Sequence, residues 1–377
     1  MKPYNICTKT KNILDNAWDE PLSVEDANYL MNLKGHEVFY LLETADNLRH
    51  ELVGDKVSFI NNCNINFTNV CKIRCGFCAF GKDRDDPEAY ILDDEKILAK
   101  ARNAVDNGAR EFCVMGGVLP EADIDYYEHL CKLLKGEFPN VMIHGFSPTM
   151  VFDACKVSEM SLDEGFRVLK KAGLDSLPGT AAEILTDRSR KIICPKKVST
   201  NEWVEVVEAA HKQGLVGSAT MMYGHVETIA ERVETLDILR RVQEKTHGFT
   251  EFIPMTFMQQ YSPIFLEQHK NLGATGIEDL KLYAVARLMF RDLIPNIQVS
   301  WVKMGFRFAQ ISLLAGANDL GGTLGGDELS EASGAPDGVD ASIVDLVKLI
   351  NALGRTPIER NTKYTEFFEI NQNKLNI

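Results

Sequence analysis

Apolar and polar residues alternate along this chain in two registers, and the register changes near residue 56. Before it, Tyr29, Leu30, Leu33, Val38, Leu41 and Leu42 keep helical spacing. Ser23 stands as an N-cap with Asp26 three residues on. Residues 1–55 therefore read as a helical layer, closed by Gly54-Asp55, that covers one end of the β/α region after it. From there on, short apolar runs alternate with amphipathic stretches. Strands are expected at 57–67, 111–115, 141–146, 174–177, 215–223, 250–257 and 297–301, with a short eighth at 320–322. Helices are expected at 93–107, 123–135, 161–171, 200–212, 227–244, 277–293 and 306–314. The long fourth connection carries a further short helix at 181–185. Strands alternating with helices at this spacing make a parallel sheet. Seven or eight such units suit a closed TIM-type β/α barrel better than an open sheet. The expected fold is thus α/β, in three parts. These are a helical layer at 1–55, a barrel at 56–325, and a C-terminal segment at 326–377 whose residues 341–377 form one helix and a tail.

Composition narrows the partners more than the fold. The chain has 377 residues, 45% hydrophobic and 25% charged, an ordinary globular profile. Its net charge of −13 argues against nucleic acid, because phosphate binding needs clustered Lys and Arg. No apolar run approaches a membrane span, and the first twenty residues lack the apolar core of a signal peptide. Nine cysteines, an odd total with only three clustered, fit a reducing cytoplasm.

Those three form the stretch Cys71-Lys72-Ile73-Arg74-Cys75-Gly76-Phe77-Cys78, at spacing C-x3-C-x2-C. A zinc site normally shows two ligand pairs, and the chain has no second pair after this one. Disulfides are not expected in a chain able to build its own core. Three thiolates in one loop can hold three irons of a four-iron cluster and leave the fourth open for chemistry. Cys63 lies eight residues before Cys71, about 26 Å away if that interval is strand at ~3.3 Å per residue. It is therefore read with Cys113, Cys131, Cys155 and Cys194 as a small buried hydrophobe.

Other candidates fall at the C-terminal ends of the expected strands, where barrels place their chemistry. Gly116-Gly117 comes directly after the second strand and lets backbone approach a ligand, or simply makes a turn. His144 and Ser147 end the third strand, and His225 and Glu227 end the fifth. Each histidine is either a substrate contact or a packed structural residue. Glu227 is either a ligand contact or a helix cap. Glu183 comes after the fourth strand, as a ligand contact or a solvated helix start. Asp319, in a glycine-rich loop near the same mouth, is a carboxylate for a substrate amine or ring N–H, or a turn residue.

The cysteine spacing resembles that of the radical S-adenosylmethionine (SAM) superfamily. That resemblance implies a [4Fe–4S] cluster on Cys71, Cys75 and Cys78, with SAM chelating the open iron and cleaved to methionine and a 5′-deoxyadenosyl radical. It also implies SAM contacts from Phe77 beside the adenine, from the backbone of Gly116-Gly117, and from Glu183 and Glu227. Longer phrases are more specific. Asn66-Phe-Thr-Asn-Val-Cys71, His144-Gly-Phe-Ser-Pro148, the run from Gly173 to Leu185, the run from Ala219 to Thr228 and Gly316-Ala-Asn-Asp319-Leu-Gly-Gly-Thr323 resemble one branch. It holds the two halves of deazaflavin (FO) synthase and the menaquinone enzymes of the futalosine pathway. Pro178-Gly-Thr-Ala-Ala-Glu-Ile-Leu185 is most similar to the CofH half.

This implies transfer of the 4-hydroxybenzyl group of L-tyrosine to 5-amino-6-(D-ribitylamino)uracil, with release of 2-iminoacetate. Substrate candidates are then His144, Ser147, His225 and Asp319. A ferredoxin or flavodoxin would supply the electron, and the second FO synthase subunit is a candidate partner. The alternatives are aminofutalosine synthase-like chemistry, a paralogue acting on a different substrate, and an iron–sulfur electron carrier. The chain departs from its relatives at Val118-Leu119-Pro120 and in the sixth-strand segment around 255–262, both expected at the substrate end.

Overall fold

The computed structural model describes residues 6–180, 182–268 and 273–375. Two sheets make one ring. The larger holds β2 (Asn62–Asn66), β3 (Glu111–Met115), β4 (Met142–Gly145), β5 (Ser176–Leu177), β6 (Val216–Tyr223) and β7 (Phe249–Thr256), all parallel and in chain order. The smaller holds β1 (Lys56–Ile60), β8 (Asp319–Gly322), β9 (Thr356–Arg360) and β10 (Phe367–Glu369). Residues 297 and 298 join them. Ile297 bridges Phe252 of β7, and Gln298 bridges Asp319 of β8, both parallel. On the other side β8 pairs with β1, which runs on into β2. The barrel therefore closes as expected, with its seventh strand reduced to these bridges because Trp301–Met304 turns into a short helix.

Helices cover the outside, and most stand where periodicity placed them. Thr200–Lys212 matches the expected span, capped by Ser199 and Glu202. Helix Gly276–Phe290 is buried on every face from Asp279 to Phe290. One side meets the sheet. The other meets the N-terminal helices, where Lys281 Nζ donates to Met31 O at 2.5 Å and Leu22 N to Leu288 O at 3.2 Å. The N-terminal helices Thr8–Asn16, Val24–Met31 and His36–Val53 thus buttress the barrel's flank rather than cover its end.

Three expectations are corrected. Residues 182–185 are irregular and Ala181 lies outside the described residues, so the short helix comes later, at Asp187–Ile193. An unexpected helix, Pro148–Val157, starts on Ser147, with proline in its first turn where no amide partner is needed. The C-terminal segment is helix Ile343–Asn351 and then a β-hairpin, not a tail. β9 pairs in parallel with β1 from Lys56↔Thr356 to Phe59↔Glu359, and β10 folds back on it. Residues after β9 cross the N-terminal opening of the barrel. Arg360 bonds Asp319 of β8, and Lys363 Nζ reaches Asp175 beside β5 at 3.3 Å.

Candidate functional site

The cysteine loop leaves β2 and is braced from three sides. Cys71 N donates to Lys82 O at 3.0 Å and Lys82 N to Asn69 O at 2.8 Å, closing the loop on itself. Gly76 N donates to Ile193 O at 2.8 Å, and Ile264 N donates to Gly76 O at 2.7 Å. Lys72 N donates to Val118 O at 3.0 Å, which ties the loop to the segment after β3. There the glycine pair is a steric requirement. A Cβ on Gly117 would lie 2.1 Å from Val70 O and 2.9 Å from Cys71 Cβ, and one on Gly116 would lie 2.9 Å from Thr68 O.

Cys71, Cys75 and Cys78 all face one cavity of about 170 Å³. Phe77, Gly116, Gly117, Ser147 and Glu183 line it too. All three cysteines are free, and Val118 N donates to Cys71 Sγ at 3.4 Å. Burial pushes the Cys75 and Cys78 thiols up, while the Lys197 ammonium pulls both down. Lys197 is itself buried, which works against its charge, but Cys75 and Glu183 hold its pKa above the ordinary lysine value. Its Nζ donates to Glu183 Oε1 at 2.6 Å and lies 5.1 Å from the Phe77 ring centre. Thr149 Oγ1, on the same wall, is buried and has no hydrogen-bond partner among the described residues.

These residues fit a four-iron cluster with a small ligand. Three thiols open on one space, a fixed cation sits beside them, and an amide points at one sulfur. Among the described residues no three His, Cys, Asp or Glu side chains converge as ligands of a single metal ion. A cluster needs no such convergence, because each thiolate takes its own iron.

A second cavity of about 190 Å³ fills the barrel interior. Met115, Thr180, Met255, Lys303 and Leu329 belong to both cavities, so the two adjoin at the C-terminal ends of the strands. Its walls mix apolar side chains with more polar ones than the cysteine cavity has. Asn62, Asn64 and Asn66 face it from alternate positions of β2, as a strand's period of two requires. Deeper in stand Glu111, Glu251 and Arg360. Burial raises the Glu251 carboxyl to about 8, with Asp319 and Glu111 adding to the rise and Arg360 opposing it. His144 faces this cavity with Nδ1 2.6 Å from Ser176 Oγ, and burial lowers its pKa, which keeps the ring neutral.

The remaining candidates lie elsewhere. Asp319 is the first residue of β8, not part of a mouth loop, and sits at the opposite end of the barrel. It accepts from Arg360 Nε at 2.6 Å, Ser58 Oγ at 2.5 Å and Gly321 N at 2.6 Å, so its oxygens are committed. Of the glycines that suggested a loop, Gly321 and Gly322 lie within the strand itself, and Gly316 ends the turn before it. Glu227 and His225 stand behind the cavities, with fully buried side chains. Glu227 accepts from Gly224 N, His225 N and Arg232 Nε at 2.6, 2.9 and 2.7 Å, which fixes the turn after β6. Thr228, not Glu227, caps the next helix. His225 bonds Met222 O and accepts from Val226 N, a neutral and structural arrangement. Ser147 faces the cysteine cavity while capping its helix.

Lys197, Lys303 and Glu251 were not anticipated. Glu251 carried a signal, as a lone acid among the apolar residues of β7. The lysines carried none, since each sits in a loop or short helix far along the chain.

Residues 65–239 match the Radical SAM superfamily, and residues 246–374 match the CofH/MqnC C-terminal region. The chain is 50% identical to the 5-amino-6-(D-ribitylamino)uracil–L-tyrosine 4-hydroxyphenyl transferase of Methanothermobacter thermautotrophicus, over 97% of this chain and 100% of that one. It belongs to the CofH family of radical SAM enzymes. A relative from Methanosarcina acetivorans, named as the first such transferase of that organism, is 44% identical over 94% of this chain and 93% of its own. As a radical SAM enzyme, the present chain uses a [4Fe–4S] cluster and SAM as cofactors. Among solved structures, methylornithine synthase (PylB) superposes with a TM-score of 0.70 at 20% identity, covering 92% of this chain and 97% of that one. The FeFe-hydrogenase maturase HydG from Carboxydothermus hydrogenoformans gives 0.75 at 16%, covering 95% and 81%. These two establish the shared barrel. No helix among the described residues is long and apolar enough to cross a membrane.

Proposed function

We propose that this CofH-family chain transfers the 4-hydroxybenzyl group of L-tyrosine to 5-amino-6-(D-ribitylamino)uracil, releasing 2-iminoacetate, 5′-deoxyadenosine and methionine. The observation that carries the proposal is the pair of adjoining cavities, one walled by the three cysteines and the other more polar, meeting at Lys303. In this reading Cys71, Cys75 and Cys78 hold the cluster. Phe77, the backbone of Gly116-Gly117 and the Glu183–Lys197 pair hold SAM. Once bound, the two supply a 5′-deoxyadenosyl radical.

The chain's own task is to place two substrates and exclude others. Lys303 donates to Ser330 Oγ at 2.7 Å, and among the described residues it makes no ion pair. A partly buried ammonium with no carboxylate in direct contact is costly even though the Asp327 charge partly offsets its desolvation, and a substrate carboxylate at the neck satisfies it. The tyrosine carboxylate takes that place, which sets its Cα–Cβ bond between the two cavities. The uracil occupies the barrel interior, and neutral His144 presents a ring nitrogen to it. Walls on all sides keep water and other hydrogen donors from a free radical. Residues 56–325 carry the chemistry, 1–55 buttress it and 326–377 close its floor. The reaction takes place in the cytoplasm, with a ferredoxin or flavodoxin as electron donor.

Anaerobic turnover of reconstituted protein with SAM and dithionite, read by mass spectrometry, tests this. The expected result is a tyrosine–uracil adduct formed alongside 5′-deoxyadenosine. Deoxyadenosine without adduct, with tyrosine and the uracil both present, would overturn the substrate assignment.

A further inference from the structure

The barrel interior is deeper than one ring needs, and its depth is lined with unused hydrogen-bonding capacity. Asn62 and Asn66 both face the cavity, and four residues of strand separate them by about 13 Å. Buried side-chain atoms without a hydrogen-bond partner among the described residues recur along that depth. Asn66 Nδ2 is one, at the mouth end of β2, on a residue with no exposure at all. Thr220 Oγ1 is another, midway along β6, on a residue 2% exposed. Thr362 Oγ1 is a third, on the segment after β9 that crosses the floor, on a residue 5% exposed. All three residues line the same cavity.

A buried polar atom left unpaired is costly, so three on one cavity call for a ligand with polar groups at several depths. A flat ring reaches one level. A polyhydroxylated chain reaches all of them. We infer that the barrel interior binds the ribityl chain of the uracil substrate end-on, along the inward face of β2, with hydroxyls at Asn66 Nδ2 and Thr220 Oγ1 and its terminal hydroxyl at Thr362 Oγ1. The C-terminal hairpin is then part of the substrate site, and not merely a plug. This inference rests on the transferase reading for the identity of the ligand. The demand for a ligand with polar groups at several depths comes from the cavity itself.

Equilibrium dialysis of the reconstituted protein under anaerobic conditions tests it without turnover. The ligands are 5-amino-6-(D-ribitylamino)uracil and 5,6-diaminouracil, which lacks the chain. The expected result is at least about ten-fold tighter binding of the ribitylated compound. Thr220→Val and Thr362→Val, which keep shape and remove a hydroxyl, should each erase about three-fold of that preference and leave 5,6-diaminouracil unaffected. Equal affinities for the two ligands would overturn the inference. So would variants that keep the full preference. Should Thr362→Val fail to fold, the ligand pair on the unmodified protein and Thr220→Val still decide. Intact ribityl preference without adduct in turnover would sink the transferase reading and leave this subsite standing.

Discussion

The cysteine cavity and the barrel cavity are nearly the same size, about 170 and 190 Å³, yet they are built in opposite ways. The first takes one wall from a contiguous loop that carries its three cysteines and from the glycine pair packed on it, with the buried Lys197–Glu183 ion pair at its edge and strand-end residues such as Ser147, Met222 and Phe257 opposite. The second takes polar groups from most of the barrel's strands and ends on a charged floor. One cavity has to hold a fixed cofactor set, so backbone geometry defines it. The other has to distinguish substrates, so side chains define it. The difference also sets the damage expected from mutation. Changes in the first cavity should abolish chemistry, whereas changes in the second should alter stability, pH response or affinity.

The largest effect tests the first half of that contrast. Cys71→Ala, Cys75→Ala or Cys78→Ala should each reduce SAM cleavage to background, because a three-thiolate site has no spare ligand. Iron content and 5′-deoxyadenosine yield after reconstitution are the readouts. A variant that cleaves SAM normally would refute the cluster assignment.

At the barrel floor the expected loss is in stability. Asp319 and Arg360 are 0% and 4% exposed and pair at 2.6 Å. Asp319→Asn leaves a buried guanidinium without its charge partner, at a cost of about 3–5 kcal/mol. Thermal unfolding should show it, while folded protein should still cleave SAM. Loss of SAM cleavage by folded Asp319→Asn would mean that the two cavities are not separable.

The same floor should also confer a pH response. Burial raises Glu251 to about 8 in the folded protein, against an ordinary value of 4.5. Its carboxyl therefore holds a proton in the folded state that the unfolded chain has released. Stability from this group is fully present below pH ~4.5 and is lost as pH rises towards 8, by up to ~1.4 kcal/mol per pH unit. Glu251→Gln should remove that slope. Denaturant unfolding of both proteins from pH 5 to 8 would reveal it, and parallel curves would refute it.

The contrast between the cavities also explains what could be read from the chain. The cysteine motif spans eight residues and Gly116-Gly117 directly ends a strand, so local sequence suffices to place them. The eight-stranded barrel was legible for the same reason, since each β/α unit is a local pattern. Asp319, by contrast, reads as a mouth-loop residue because the stretch from Gly316 to Gly322 is glycine-rich, whereas it is the first residue of strand β8 and so lies at the strand's N-terminal end. The partner that fixes it, Arg360, lies forty-one residues on, in a hairpin that periodicity did not reveal. Glu227 was in register with a ligand contact but spends its oxygens on its own turn. Asn62, Asn64 and Asn66 did carry a readable signal, polar residues at period two in an inward-facing strand.

Lys303 sharpens the contrast most, because it belongs to both cavities. Its charge is partly buried, and burial lowers its pKa, so the site without substrate holds a cation at a cost. If that cost is relieved by the tyrosine carboxylate, Lys303→Met should raise the KM for tyrosine about ten-fold, equivalent to ~1.4 kcal/mol, and leave the Kd of the ribitylated uracil unchanged. If Lys303 serves the cysteine cavity instead, SAM cleavage in the absence of tyrosine should fall and the KM for tyrosine should hold. Steady-state kinetics with each substrate varied in turn, alongside uncoupled 5′-deoxyadenosine formation, separate these outcomes. The first would place the neck on the substrate side of the boundary, with the radical formed on one side of it and spent on the other.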